Sequence, residues 1–407
     1  MYTSIANVVQ QFYSISYLIV TFTTIVFAIV FVLLSYFALQ SVRKYGLRNA
    51  YVIASFCSAL GAAIKCFGPR KDDFYIIILG QLIVAIGKCF VSTTTPILAG
   101  VWFKSDESAT VIGVDVGCQM LTTMVTFWLP SMILKHDEEQ ISTSLKVMSM
   151  IVAFSTSICF ILIVIFMQEK PKLPPTILQK RKIEQIEKLP LKALLKNRDY
   201  ILFSLSVIVT YTFDSTLSVL LNQILMSTFQ NGELIETIVG TLLMGLGFVG
   251  SICIPVILDK FKKFKLTTYL IFSLAVVLFS FIHACIWLRK EFLLYVSVAL
   301  FGFFFYCRYA VLVDIIAEVT YPYPQNTVFG ILAFTVSVLV SMFIPALSWL
   351  IHYFGTNSAF FVLNLLLLSS FILIINAKWN LKRKDEENPI LIAEIYDIQN
   401  EEIVNHT

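Results

Sequence analysis

The sequence predicts an all-α membrane protein built from two similar helix bundles, and three observations carry that prediction. Hydrophobic residues make up 58% of the 407 positions and charged residues 14%, with a mean hydropathy of +0.82, a balance foreign to a soluble domain. Apolar runs long enough to cross a hydrocarbon core of ~30 Å as a helix of ~20 residues recur along the chain. Residues 199–377 repeat the beginning of the sequence at an offset of about 216 positions. Val42-Arg43-Lys44-Tyr45 falls on Leu258-Asp259-Lys260-Phe261, and Ala109-Thr110-Val111-Ile112-Gly113 falls on Asn326-Thr327-Val328-Phe329-Gly330. Such a repeat, in so apolar a chain, marks a secondary transporter.

Taken in order, the apolar runs lie at 16–40, 50–66, 75–98, 108–134, 144–167, 199–225, 235–258, 265–287, 292–317, 326–352 and 358–377, which makes eleven spans. The partner of 199–225 under the repeat falls mostly ahead of Met1, so the chain is expected to hold only the end of a first helix, with Asn7 in the place of Asn222. This divides the protein into an N-terminal bundle at 1–167, a linker at 168–198, a C-terminal bundle at 199–377 and a tail at 378–407. Loops on one side of the membrane (41–49, 102–107, 168–198, 259–265, 318–326 and the tail) hold 21 Lys and Arg. The other side holds five, Arg70, Lys71, Lys135, Arg289 and Lys290, so the first set is cytoplasmic and residues 1–15 lie outside.

The eight cysteines are scattered without close spacing or companion histidines, which speaks for core packing rather than a disulfide framework or a metal site. Gly80-Gln81-Leu82-Ile83-Val84-Ala85-Ile86-Gly87-Lys88-Cys89 has the wrong spacing for a phosphate loop, ends in Cys where Ser or Thr is needed, and lies inside a span. No paired carboxylates, nucleophile elbow or His/Cys constellation appears, so the chain is read as a non-enzyme without cofactor or metal. The expected partners are a small-molecule solute and the lipid bilayer, with no nucleic acid, and the chain is expected to act as a monomer.

Ionisable residues inside spans are costly against lipid and therefore face a cavity or a partner. They are Lys88, Asp115, Asp214 and Arg308, joined by the polar Gln119. Counting the absent helix as the first, Lys88 sits on the fourth, Asp214 on the seventh and Arg308 on the tenth, which are cavity-lining positions in two-bundle transporters. A structural ion pair between Asp214 and Arg308 is the plainer alternative. Tyr211, Phe213, Tyr306 and Tyr309 stand near these charges, and any ring that faces a cavity offers its face to an organic cation, packing being the plainer reading in a chain with 14% aromatic residues. Gly240, Gly245, Gly247 and Gly250 suit a close helix approach. At the cytoplasmic ends, Asp259 and Lys260, together with Glu107 and Glu318, are candidate gating residues that hold loops closed in one state only. In the tail, Glu387-Asn388-Pro389-Ile390-Leu391-Ile392 has the spacing of an acidic dileucine address, consistent with a plasma-membrane or endolysosomal location.

Several segments carry a family resemblance: Lys44-Tyr45-Gly46-Leu47-Arg48, Gly80-Gln81-Leu82-Ile83, Val101-Trp102-Phe103 with Glu107, Gln168-Glu169-Lys170-Pro171-Lys172-Leu173-Pro174-Pro175, Leu220-Leu221-Asn222-Gln223, and Glu318-Val319-Thr320-Tyr321-Pro322 followed by Gly330. Over essentially its whole length the chain resembles the feline leukaemia virus subgroup C receptor-related proteins, solute carrier family 49 within the major facilitator superfamily. The resemblance implies a twelve-helix alternating-access carrier, with members associated with choline and ethanolamine transport and with haem export. Of the family's choline-site residues, Gln119 matches the helix-five Gln. Ser215 stands where the helix-seven Tyr is expected, with Tyr211 one turn away, Ser337 stands at the helix-eleven Gln position, and the helix-one Trp would precede Met1. Arg43 replaces the superfamily's acidic loop residue in the first half, whereas Asp259 retains it in the second.

The sequence therefore predicts a carrier of a choline- or ethanolamine-like solute, with substrate contacts from Gln119, Asp214, Arg308, Lys88, Tyr211, Ser215 and Ser337 and gating by Asp259, Lys260, Glu107, Glu318 and Arg43. The departures from the family's pattern leave a zwitterionic or anionic solute as a competitor, because Lys88 and Arg308 repel a quaternary ammonium unless Asp115 and Asp214 neutralise them. The alternatives are an exporter of haem or another amphipathic anion, and a truncated isoform that does not transport.

Overall fold

The computed structural model describes residues 2–103, 108–134, 138–169, 196–261, 264–320, 323 and 325–379. Within the helices, the side chains of Arg43, Asp259, Lys260 and Glu318 lie outside that description, as does all of Glu107 and of the tail beyond 379. The gating assignments therefore fall on residues the structure does not describe.

A short 3₁₀ turn, Tyr2–Ile5, leads into α1 (Ala6–Tyr13). Then follow α2 (Tyr17–Tyr45), α3 (Leu47–Lys65), α4 (Phe74–Trp102), α5 (Ser108–Ile133) and α6 (Glu138–Phe166). The second half comprises α7 (Arg198–Thr228), α8 (Gly232–Phe261), α9 (Phe264–Trp287), α10 (Glu291–Val319), α11 (Gln325–Phe354) and α12 (Thr356–Ile375). Eleven of these, all but α1, are long and apolar enough to span a membrane, matching the eleven runs read from sequence. Their ends run past the apolar windows, most visibly at α6, because a helix that closes its own backbone hydrogen bonds can continue into the polar interface.

Burial separates central from lipid-facing helices. Most positions of α7 are buried, whereas α6 turns Phe154, Ile161, Ile165 and Phe166 outward. In the second half, Phe213 of α7 packs among Phe279 of α9 and Phe301 and Phe305 of α10. Phe213 thus belongs to the bundle core, in line with the packing reading of the aromatic cluster. In the first half, Tyr2, Ile5, Val9 and Tyr13 pack on Phe74 and Ile77 of α4 and Leu145 and Met148 of α6. The Tyr13 hydroxyl donates to the Gly68 carbonyl at 2.9 Å, and burial pushes the Tyr2 phenol up to about 12.

The halves meet in two pseudo-equivalent places, α5 against α8 and α2 against α11. Where α8 crosses α10, Gly247 and Gly250 bring the backbones together: a methyl at Gly250 would collide with the Phe303 carbonyl, and one at Gly247 would come within 2.5 Å of the Tyr306 ring. The close-approach reading of this glycine series holds at both positions. All eight cysteines are free thiols. Cys89, Cys285 and Cys307 are core residues, but Cys118, Cys159 and Cys253 are exposed on helix faces, so core packing accounts for only part of the set.

Candidate functional site

Between the halves, near the middle of their helices, α5, α7 and α10 enclose a cavity of ≈ 90 Å³. Gln119 of α5, Tyr211 and Asp214 of α7, and Tyr306, Arg308 and Tyr309 of α10 give it its polar and aromatic lining; Val116, Met120, Phe305 and Leu312 are apolar neighbours. Four of the seven predicted substrate-site residues, Gln119, Tyr211, Asp214 and Arg308, are thus brought together. Ser215 and Ser337 are half-buried outside this lining. Ser215 follows Asp214 directly and the helix turns it away. Lys88 also lies outside it, with an exposed side chain on α4 and its Nζ 5.2 Å from the ring centroid of Phe27 on α2.

Each charge in the cavity has a neutral companion. The Tyr306 hydroxyl donates to Asp214 Oδ1 at 2.7 Å. Arg308 is 3% exposed, and its guanidinium carbon lies 3.3 Å from the centroid of Phe305, with Phe272 at 5.5 Å. Its Nη1 is buried without a hydrogen-bond partner among the described residues. Among the described residues the ion pair within 4.0 Å is the exposed Arg70–Asp73, so Asp214 and Arg308 do not form the structural pair that sequence offered as the plainer reading. Gln119 Nε2 donates to Asp115 Oδ2 at 3.0 Å, one turn back on α5, which turns its amide oxygen into a defined acceptor. Tyr211 and Tyr309 meet edge to face at 4.7 Å, so their rings are held by each other across α7 and α10.

A second polar cluster, missed in the sequence, ties the halves together at the end opposite the basic loops. Asn222 Nδ2 of α7 donates to Glu236 Oε2 of α8 at 2.6 Å and to Asn7 Oδ1 of α1 at 3.2 Å. Asn7 Nδ2 donates in turn to Glu233 Oε1 at 2.5 Å. Beside it, the Gln223 backbone N–H donates to the Tyr17 hydroxyl at 3.1 Å, and Ser348 Oγ donates to Gln223 Oε1 at 3.0 Å. The repeat had set Asn7 opposite Asn222 in register; the fold sets them in contact. Glu236, a carboxyl inside an apolar span, was the available signal.

At the basic end, Glu169 beyond α6 accepts the Leu47 and Arg48 backbone N–H groups at 2.8 and 2.9 Å. This carboxylate caps the N-terminus of α3, a site where the unpaired amides of a helix favour an anion.

The fold agrees with that of other proteins. The sequence pattern of the Major Facilitator Superfamily matches residues 1–345. An uncharacterized MFS-type transporter of Caenorhabditis elegans is 29% identical over 395 residues, covering 94% of this chain and 66% of that protein. The choline/ethanolamine transporter flvcr2b of Danio rerio is 25% identical over 397 residues, 94% of this chain and 80% of its own. FLVCR1 of Mus musculus, named a choline/ethanolamine transporter, is 29% identical over 364 residues, 83% of this chain and 64% of its own. These relatives bear out the resemblance read from sequence, and the chain spans about two thirds of the worm and mouse proteins. Among solved structures, a D-xylose-proton symporter superposes with a TM-score of 0.68 at 11% identity, covering 88% of this chain and 87% of its own. The Escherichia coli fucose:proton symporter FucP does so with 0.61 at 12% identity, covering 93% of this chain and 95% of its own. Eleven membrane-spanning helices, the contact between halves around a midplane cavity and a family match over most of the sequence lead to one assignment: this chain belongs to the Major Facilitator Superfamily.

Proposed function

We propose that this protein carries a small organic solute bearing an ammonium group, of the choline or ethanolamine kind, across a plasma or endolysosomal membrane by alternating access. In this reading the bundles at 1–167 and 199–377 rock about the midplane cavity, joined by the linker at 168–198, and the chain works as a monomer. The observation that carries it is Asp214: a carboxylate in the middle of a membrane helix, lining an interdomain cavity beside two tyrosine rings. Carboxylate and ring faces together suit an ammonium, the first by charge and the second by their quadrupoles. The named choline/ethanolamine transporters among the relatives support the same solute class.

Haem fits less well. A cavity of ≈ 90 Å³ falls below the ~300 Å³ at which pockets for drug-sized ligands begin. The cluster of Asn7, Asn222, Glu233 and Glu236 supports a state closed at the outer end.

Uptake of radiolabelled choline and ethanolamine into proteoliposomes containing the purified chain tests the proposal. Saturable uptake accelerated by unlabelled solute on the far side is expected. A rate equal to that of empty liposomes for both solutes sinks it.

A further inference from the structure

The cavity contains a cation that the ammonium reading does not use. Arg308 is almost completely buried, lines the same cavity as Asp214, and has a buried Nη1 without a hydrogen-bond partner among the described residues. Its guanidinium carbon lies 3.3 Å from the centroid of the Phe305 ring, which braces the side chain against an uncharged neighbour. Asp214, the carboxylate within reach by sequence, is instead held by the Tyr306 hydroxyl and lies beyond ion-pair distance of Arg308. The site thus holds one negative and one positive group near each other but out of direct contact, each braced by an uncharged neighbour.

A buried guanidinium without a direct ion-pair partner is costly, and its Nη1, which has no hydrogen-bond partner among the described residues, suits an oxygen of a carboxylate or phosphate. Choline or ethanolamine satisfies Asp214 and leaves Arg308 exposed to like charge. We infer that the solute is a zwitterion, whose ammonium lies against Asp214, Tyr211 and Tyr309 and whose acid group, a carboxylate or a phosphate, is taken by Arg308. Gln119, its amide held by Asp115, presents an acceptor beside them and fits the hydroxyl or N–H of such a solute. This inference rests on the carrier reading of the same cavity and narrows its solute.

The test is the thermal unfolding of the full purified chain in detergent, titrated with choline, ethanolamine, glycine betaine, phosphocholine and acetate. Ligands that bind the native state raise the midpoint in proportion to the logarithm of their saturation. Glycine betaine or phosphocholine is expected to bind at least tenfold more tightly than choline, and the better of the two tells carboxylate from phosphate. R308Q is expected to weaken the preferred zwitterion at least tenfold and to tighten choline. R308K, which keeps the charge but loses the fork, should fall between. If R308Q does not fold, the wild-type ranking alone decides. Choline binding as tightly as both zwitterions overturns the inference and leaves the carrier reading standing. Acetate binding as tightly as betaine overturns it in favour of a simple anion. No shift with any of the five overturns both readings.

Discussion

The Tyr306 hydroxyl on α10 donates a hydrogen bond to Asp214 on α7 at 2.7 Å, while Arg308, two residues further along α10, turns to the ring of Phe305. The phenol does for the carboxylate what an ion pair would otherwise do, and so keeps the arginine available. A hydrogen bond to a charged group contributes about 1.5–3 kcal/mol. Y306F, which removes only the hydroxyl, is therefore predicted to weaken solute binding by roughly ten- to a hundredfold. Isothermal titration with the wild-type solute reads this directly, and unchanged affinity would detach Tyr306 from the site.

Gly247 sets where Tyr306 can stand. A methyl there would come within 2.5 Å of the tyrosine ring. G247A is predicted to cost about 1–3 kcal/mol of stability by overpacking and to abolish uptake by displacing the ring. G245A serves as the comparison, since its nearest neighbour is the flexible Met124 sulfur at 3.3 Å. Equal melting temperatures for the two variants would show that the α8–α10 crossing has slack.

The outer cluster makes a separate prediction. N222A strips Glu236 Oε2 of its donor and leaves a buried carboxyl whose Oε1 is already without one. The expected loss is ~1–3 kcal/mol, the desolvation cost of a buried polar group left unpaired. N222A/E236M removes the stranded carboxyl along with its partner and should recover part of that loss. A double variant no more stable than N222A would mean that the amide contributes through packing alone.

Glu169 provides a local test at the other end. It accepts two backbone N–H groups at the start of α3. E169A is predicted to lower stability by ~1 kcal/mol, the usual worth of a helix cap, with E169Q intermediate because it retains an acceptor without the charge. Thermal melts of the three proteins should rank in that order.

The spans, their order and the internal repeat were legible because the bilayer imposes a length and a composition on every element, and eleven runs met both. The site was legible in part. Asp214, Arg308 and Gln119 announced themselves as polar groups inside apolar helices, and the fold brings them to one cavity. Lys88 announced itself equally and lies elsewhere, because periodicity gives a helix but not the rotation of its face. Phe213 and Tyr306 looked alike in sequence, yet one is locked among three phenylalanines and the other reaches Asp214. Asn7 and Asn222 matched in register but gave no sign of contact, since a repeat aligns positions within halves and says nothing of which ones meet across them.

The most direct test of the central claim is counterflow in proteoliposomes loaded with unlabelled solute, comparing the wild-type chain with D214N, using the zwitterion or amine that binds most tightly. The wild type is expected to accumulate label transiently above equilibrium, and D214N, which keeps the shape but removes the charge facing the ammonium, to lose at least nine tenths of that overshoot. An undiminished overshoot in D214N would contradict the assignment of this cavity as the carrier's binding site.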